Sequence, residues 1–170
     1  MITVPPTWAL ALTYWLHLFA TVTWVGSLAG VSLLVLPAMK RALDAENQLV
    51  FIEAMQKRLE PIAWFSMSLL LVTGLFQMSV NPHYDGFLST STQWSLAILI
   101  KHIFGIVMVV VSAIQTWEVI PAIRRAIVRS KKSENADEID SLRRKEITLL
   151  RMNFGLSLLI LLATAFARAS

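Results

Sequence analysis

The chain contains no cysteine, and this absence removes a whole class of functional sites. Disulfide frameworks, thiolate metal sites and iron–sulfur clusters all require cysteine side chains. Histidine, methionine and carboxylate groups therefore remain as the candidate metal ligands.

Charged residues are also scarce, because they make up only 15% of the chain while 56% of it is apolar. A soluble domain typically carries about 25% charged residues. The sequence has no Ser-His-Asp spacing, phosphate-binding glycine loop or HExxH motif, so nothing indicates a hydrolase, kinase or metalloprotease. The net charge of +4 comes without aromatic-basic interleaving, so nucleic acid is not an expected partner.

Long apolar stretches occur near residues 8–36, 61–80, 95–121 and 148–167. A helix of about 20 residues crosses the ~30 Å hydrocarbon layer of a bilayer. We therefore predict an all-α integral membrane protein, an up-down bundle of four transmembrane helices that contacts membrane lipid and forms one domain over residues 1–170. The first stretch is too long for a cleavable signal sequence and follows no basic residue, so we expect it to remain as a helix.

Lysine and arginine are concentrated in two connections, residues 38–59 and 122–147, while residues 81–94 and the N-terminal segment have none. Basic loops favour the cytoplasmic side of a membrane. This distribution predicts that both basic loops face the cytoplasm and that both termini lie on the outer side.

The connections also carry local signals. Residues 38–59 are predicted to form an amphipathic helix on, or extending from, the inner face of the membrane. Glu60-Pro61 is expected to begin the second span. The densely charged residues 129–147 are interpreted as a solvated helical extension of the fourth span or as partly disordered.

Two segments of the chain have nearly the same pattern. His17-Leu18-Phe19 precedes Leu36-Pro37-Ala38, and His102-Ile103-Phe104 precedes Ile120-Pro121-Ala122. The histidine-to-proline spacings are 20 and 19 residues. We infer two duplicated helical hairpins related by a pseudo-twofold axis along the membrane normal.

The two repeated histidines are the main candidate functional residues. His17 and His102 follow Trp8 and Trp94 by 9 and 8 residues, so both imidazoles should lie at equal depth, ~12–14 Å below the outer tryptophans. Diagonal helices of a bundle can hold a cofactor between facing side chains. The pair therefore predicts axial ligation of one haem b iron near the outer face.

Other residues are predicted to surround this haem. Small or apolar positions one turn from the histidines would contact the porphyrin, and two cations would pair with its propionates. The first set comprises Thr13, Ala20, Thr21 and Trp24 on the first helix and Ile98, Gly105, Ile106 and Val109 on the third; the cations are Lys101 and Arg168.

Simpler interpretations exist for the polar residues. Each intramembrane histidine could serve only to hydrogen-bond across helices, with Ala20 and Gly105 promoting helix packing. His83 is interpreted as a surface histidine, and the scattered methionines as core filling. Glu118 and Gln115, with Arg151 and Asn153, are predicted to form an interfacial ion pair and interhelical hydrogen bonds.

A family resemblance supports the membrane assignment. Its motifs are Leu16-His17, Trp24-Val25-Gly26 and Pro37 in the first span, and Arg58-Leu59-Glu60-Pro61 and Leu71-Val72-Thr73-Gly74-Leu75 in the second. The chain resembles the membrane module of the copper-resistance D (CopD) proteins, and more loosely the HemJ-type protoporphyrinogen oxidases. The first resemblance implies a bacterial inner-membrane protein that handles copper. The second implies a haem-b protein that acts on porphyrins.

Three functional hypotheses follow. The leading one is a membrane cytochrome b that exchanges single electrons with a quinol, a small oxidant such as superoxide, or a periplasmic protein. The second is copper ion transport through the same histidines with methionines. The third is an oxidoreductase that oxidises porphyrins at a haem with one displaceable ligand. The chain is expected to act as a homodimer or as a subunit of a larger membrane complex.

Overall fold

The computed structural model of the protein describes residues 5–130 and 136–169. Within these residues it is helical and has no strand. It contains four helical spans that are each long and apolar enough to cross a membrane. The predicted all-α bundle of four membrane-spanning helices is confirmed.

The four spans follow the chain order and contain two short π-helical segments. The first consists of α-helix Thr7–Ala29, π-helix Gly30–Val35 and α-helix Leu36–Ala42; the second is α-helix Ala45–Ser79; the third consists of α-helix Gln93–Ile114, π-helix Gln115–Val119 and α-helix Ile120–Ser130; the fourth is α-helix Ala136–Ala169. We call the end of the bundle that carries the connection 80–92 the loop end. The opposite end, with most of the basic residues, is the basic end.

Side-chain caps define the start of the second and third spans. The Asp44 carboxylate accepts a hydrogen bond of 2.9 Å from the backbone N–H of Asn47. The Thr92 hydroxyl accepts one of 3.0 Å from the N–H of Ser95. Each cap satisfies a backbone donor that has no partner within the first turn of its helix, so each fixes where the helix begins.

Pro61 lies inside the second helix and does not start it. Residues 45–59 of the predicted amphipathic helix are therefore continuous with the second span, because one helix runs from residue 45 to residue 79. That the membrane-crossing part begins at Glu60-Pro61 stays a prediction. Proline removes one backbone N–H and frees the carbonyl four residues earlier, at Lys57. Lys57 is exposed near the basic end, where water can reach that carbonyl. The helix can therefore pass through the proline.

The π-helical segments occupy equivalent places in the first and third spans. Gly30–Val35 ends two residues before Pro37, and Gln115–Val119 ends two residues before Pro121. A proline ring clashes with the carbonyl four residues earlier, at Leu33 and Trp117, and a widened turn relieves that clash. The sequence repeat thus has a structural counterpart, in keeping with the inferred duplication.

The spans pack as two hairpins joined by the first and fourth spans. A central core contains Trp24, Leu28, Met67 and Met108, and a second core near the basic end contains Val31, Leu36, Met39 and Ile52. Large apolar side chains cover the outside, and Val22, Leu34, Val72 and Ile106 are 62% to 71% exposed. Such an apolar exterior is expected of a surface that faces lipid.

Charged side chains continue the helices beyond the spans at the basic end. The fourth helix already begins at Ala136, so residues 136–147 form the predicted helical extension. Residues 131–135 of the same predicted segment lie outside the described residues. The extension packs on the second helix through Gln56, whose Nε2 donates to the buried carboxylate of Glu146.

Candidate functional site

His17 is held by the second span. Its Nδ1 lies 2.8 Å from the hydroxyl oxygen of Thr73, a side chain that is itself buried. The Thr73 hydroxyl donates to the carbonyl of Leu69 at 2.5 Å, and a carbonyl can only accept. The hydroxyl must therefore accept from His17, so Nδ1 carries the proton and Nε2 carries a free lone pair.

The His17 ring also lies against a glycine. A Cβ added at Gly74 would be 3.4 Å from Cε1 of His17 and 3.9 Å from its Nδ1. The Thr73-Gly74 pair thus supplies both a hydrogen-bond acceptor and a flat backbone surface for the imidazole. A side chain at residue 74 would lie in direct contact with the ring.

His102 reaches the same tautomer by a different route. Its Nδ1 lies 2.7 Å from the carbonyl oxygen of Ile98 in the preceding turn, so Nδ1 is the donor and Nε2 is free. The ring makes an edge-on contact with Phe87 of the loop-end connection, with ring centroids 5.0 Å apart. His102 is half-buried beneath that connection.

The two histidines therefore have separate partners. His17 contacts the second span, and His102 contacts its own helix and the connection 80–92. Within the described part of the chain, no hydrogen bond or ring contact joins one imidazole to the other. The two Nε2 lone pairs are the feature that the histidines share.

Residues predicted to surround the site on the first span have varied environments. Ala20 is fully buried, and Trp24 donates its indole N–H to the sulfur of Met108 at 3.3 Å. The Thr21 hydroxyl donates to the carbonyl of His17 at 2.7 Å, and the Thr13 hydroxyl donates to its own helix. These contacts stabilise the helix around His17, and their predicted contact with a cofactor remains a prediction.

Of the predicted residues on the third span, Ile98 and Gly105 are half-buried and the other two lie on the outside of the bundle. Ile106 and Val109 are exposed on the outer surface of the bundle. A Cβ added at Gly105 would meet no atom within 4 Å, so space is open beside that residue. Their predicted role around a haem also remains a prediction.

Positive charge surrounds His17 at the loop end. Lys101 and Arg168 lie close enough for their charges to act on the imidazole. The Arg168 guanidinium also lies over the ring of Tyr14, 5.9 Å from its centroid. The two predicted propionate partners are thus near His17, and the site attracts anionic groups.

Two other polar contacts lie nearer the basic end. Asn153 donates to the Ser112 hydroxyl at 2.9 Å, which confirms a predicted interhelical hydrogen bond. The Glu118 carboxylate pairs with Lys145 at 2.7 Å, a residue that was not predicted as its partner. His83, in contrast, lies on the exposed connection and contacts Asn81. The sequence analysis did not predict the hydrogen bond between His17 and Thr73. The sequence feature that could have indicated it is a threonine next to a glycine within an apolar helix.

The histidines are not part of a larger ligand cluster. Among the described residues, no group of three or more His, Cys, Asp or Glu side chains is placed to hold a metal ion. Any metal bound at either histidine must therefore take its remaining ligands from thioethers, water, backbone or a bound molecule.

Comparison with known proteins identifies the family. The family model described as copper resistance protein D (CopD) matches residues 53–167. No curated protein and no solved structure matches the chain. The matched range includes Thr73, His102 and Asn153 but not His17. Because the match covers more than half of the chain, this protein belongs to the copper resistance protein D family.

Proposed function

We propose that the protein handles copper ions at a membrane and that His17 and His102 supply transient ligands to the ion. Membership of the copper resistance protein D family is the observation that carries this proposal. Family membership favours copper, and not haem iron, as the metal on which the protein acts.

The tautomers of the two histidines support a role as ligands. Imidazole binds metals through a neutral nitrogen, and a hydrogen bond at the other nitrogen fixes the ring. His17 and His102 both have an engaged Nδ1 and a free Nε2. Imidazole is also a suitable ligand for copper.

The small number of ligands suits an ion that passes through. An ion that is transported must bind well enough to enter and weakly enough to leave. Lys101 and Arg168 further weaken cation binding near His17, because like charges repel. We therefore propose that copper is a substrate of this protein and not a permanently bound component.

Copper uptake tests the proposal directly. Cells that produce the wild-type protein are expected to accumulate more copper than cells that produce His17→Ala or His102→Ala at equal membrane levels. His83→Ala is the matched control, because His83 lies on the exposed connection. Equal accumulation in all four strains would contradict the proposal.

A second candidate function is electron transfer by a haem b that His17 and His102 would hold. Two features support haem binding at this site. The Nδ1 atoms of both histidines are engaged, which leaves the Nε2 lone pairs for iron. The positive charges of Lys101 and Arg168 would pair with the haem propionates. When bound, haem supplies reversible one-electron chemistry. The two histidines would hold it, and the two cations would orient it toward the loop end.

An absorption spectrum separates the two candidates. Copper handling predicts purified protein without a Soret band. The haem candidate predicts a reducible b-type spectrum that disappears in both histidine variants. Its redox partner would be a quinol, a small oxidant or a periplasmic protein.

We further propose a bacterial inner-membrane location with the loop end outside, as the basic loops predict. A homodimer or a place in a larger membrane complex is also proposed. Native mass measurement in mild detergent would distinguish these assemblies from a monomer.

A further inference from the structure

A cavity lies between the four spans in the half of the bundle near the basic end. It measures about 70 Å³, and all four spans contribute residues to its wall. A space of roughly 10–15 Å³ on this scale holds one water molecule. The cavity is therefore large enough for several waters or for one small ion with part of its hydration shell.

Asn153 supplies the cavity with an unpaired acceptor. This residue is only 1% exposed, and its Nδ2 donates to the Ser112 hydroxyl at 2.9 Å. Ser112 in turn donates to the carbonyl of Met108 at 2.9 Å. Among the residues that the structure describes, none hydrogen-bonds to the Oδ1 atom of Asn153. A buried acceptor without a partner is unfavourable, so this atom favours an occupant that donates a hydrogen bond or carries positive charge.

Most of the wall is apolar, and its polar groups include further hydrogen-bond acceptors. Glu60 contributes a carboxylate, Gln115 an amide, and Met55 and Met67 their thioether sulfurs. Among the described residues, no lysine, arginine or histidine lines the cavity. Its polar wall thus presents acceptors and one negative charge.

We propose that this cavity is a hydrated site that holds small monovalent cations at Asn153 and Glu60. The expected cations are monovalent because one carboxylate lines the cavity, whereas hard divalent ions are usually bound by several carboxylates. The site is separate from His17 and His102. It does not depend on the function proposed for those residues.

The absence of cysteine makes a sharp test available, because any introduced thiol is unique. Ser27 lines the cavity, whereas Ser68 is exposed on the outside of the second span, next to Met67. Ser27→Cys and Ser68→Cys are therefore matched substitutions at a wet and a lipid-facing position. Each full-length variant is reacted in membranes with a cationic and an anionic methanethiosulfonate reagent of similar size.

The cationic reagent is expected to label Ser27→Cys at least about tenfold faster than Ser68→Cys, because a thiol in lipid does not ionise. Relative to the rates of the two reagents with a free thiol in solution, it should also react about tenfold faster than the anionic reagent at Ser27→Cys, as expected of a nearby carboxylate in a low-dielectric space. Adding Glu60→Gln should bring the two reagents to within about twofold of each other.

Each alternative result overturns the proposal. Equal labelling of Ser27→Cys and Ser68→Cys would show that the cavity is not hydrated. Equal rates for the two reagents at Ser27→Cys would show that it does not select cations. If Ser27→Cys fails to reach the membrane, Thr116→Cys on the third span replaces it, because Thr116 also lines the cavity.

Discussion

The Thr73 hydroxyl accepts the Nδ1–H of His17 at 2.8 Å and donates to the Leu69 carbonyl. One hydroxyl therefore determines which nitrogen of His17 is free to bind a metal. This arrangement corresponds to the outer-shell hydrogen bonds that orient metal-bound histidines in other proteins.

Replacing Thr73 with valine should weaken metal binding at His17. Valine keeps the shape but removes the acceptor, so the ring can rotate and change tautomer. Loss of such a partner typically lowers metal affinity about 10- to 100-fold. Copper titration of purified protein measures this effect. Thr73→Ser should retain wild-type affinity, and Thr13→Val is the control, because the Thr13 hydroxyl bonds only its own helix.

Enlarging Gly74 should disturb the His17 ring. Gly74→Leu adds a Cβ in van der Waals contact with the imidazole and a branched side chain beside it, and should weaken the copper binding that depends on His17. Gly105→Leu enters open space and should leave copper binding unchanged. Under the haem candidate, Gly105→Leu should instead reduce haem content, so the absorption spectrum of that variant discriminates between the two functions.

Trp24 should be a major contributor to stability. It belongs to the central core, and its indole N–H contacts Met108 across the bundle. Trp24→Ala should lower the free energy of unfolding by about 3–5 kcal/mol because it leaves a large cavity. Unfolding in mixed detergent measures the change. Trp8→Ala should have little effect, because Trp8 is exposed.

The buried Gln56–Glu146 contact should matter more than exposed ion pairs. Gln56→Leu removes the donor to a buried carboxyl group and should cost about 1–3 kcal/mol of unfolding free energy. Glu118→Gln breaks the exposed pair with Lys145 and should cost at most about 1 kcal/mol. A larger loss for Glu118→Gln than for Gln56→Leu would contradict this ranking.

Much of the fold could be predicted from the sequence because apolar stretches of this length have few alternatives. The four spans follow directly from hydropathy. The sequence left open whether the helix at residues 38–59 lies on the inner face or extends from it, because proline can end a helix or be accommodated within one. The helix continues through Pro61. The π-helical segments were also hidden, since a widened turn leaves the hydropathy of a span unchanged.

The candidate site was only partly visible in the sequence. His17 and His102 could be identified because they are polar residues within apolar stretches. Their contact partners could not, because those depend on long-range packing. Thr73 is 56 residues from His17 in the chain, so no local pattern connects them. Asn153 was predicted to hydrogen-bond between helices, which its bond to Ser112 confirms. The position of the Asn153 Oδ1 atom in the wall of the cavity depends on the packing of all four spans, so the sequence alone could not predict it.

The widened turns before Pro37 and Pro121 also shape the interior of the bundle. Val31 lies in one of these turns and Gln115 in the other, and both line the cavity. A broader helix cannot fit as closely against its neighbours as a regular one. The two prolines thus prevent close packing of the helices around the cavity. Restoring regular α-helical turns there would bring the helices together and close the cavity.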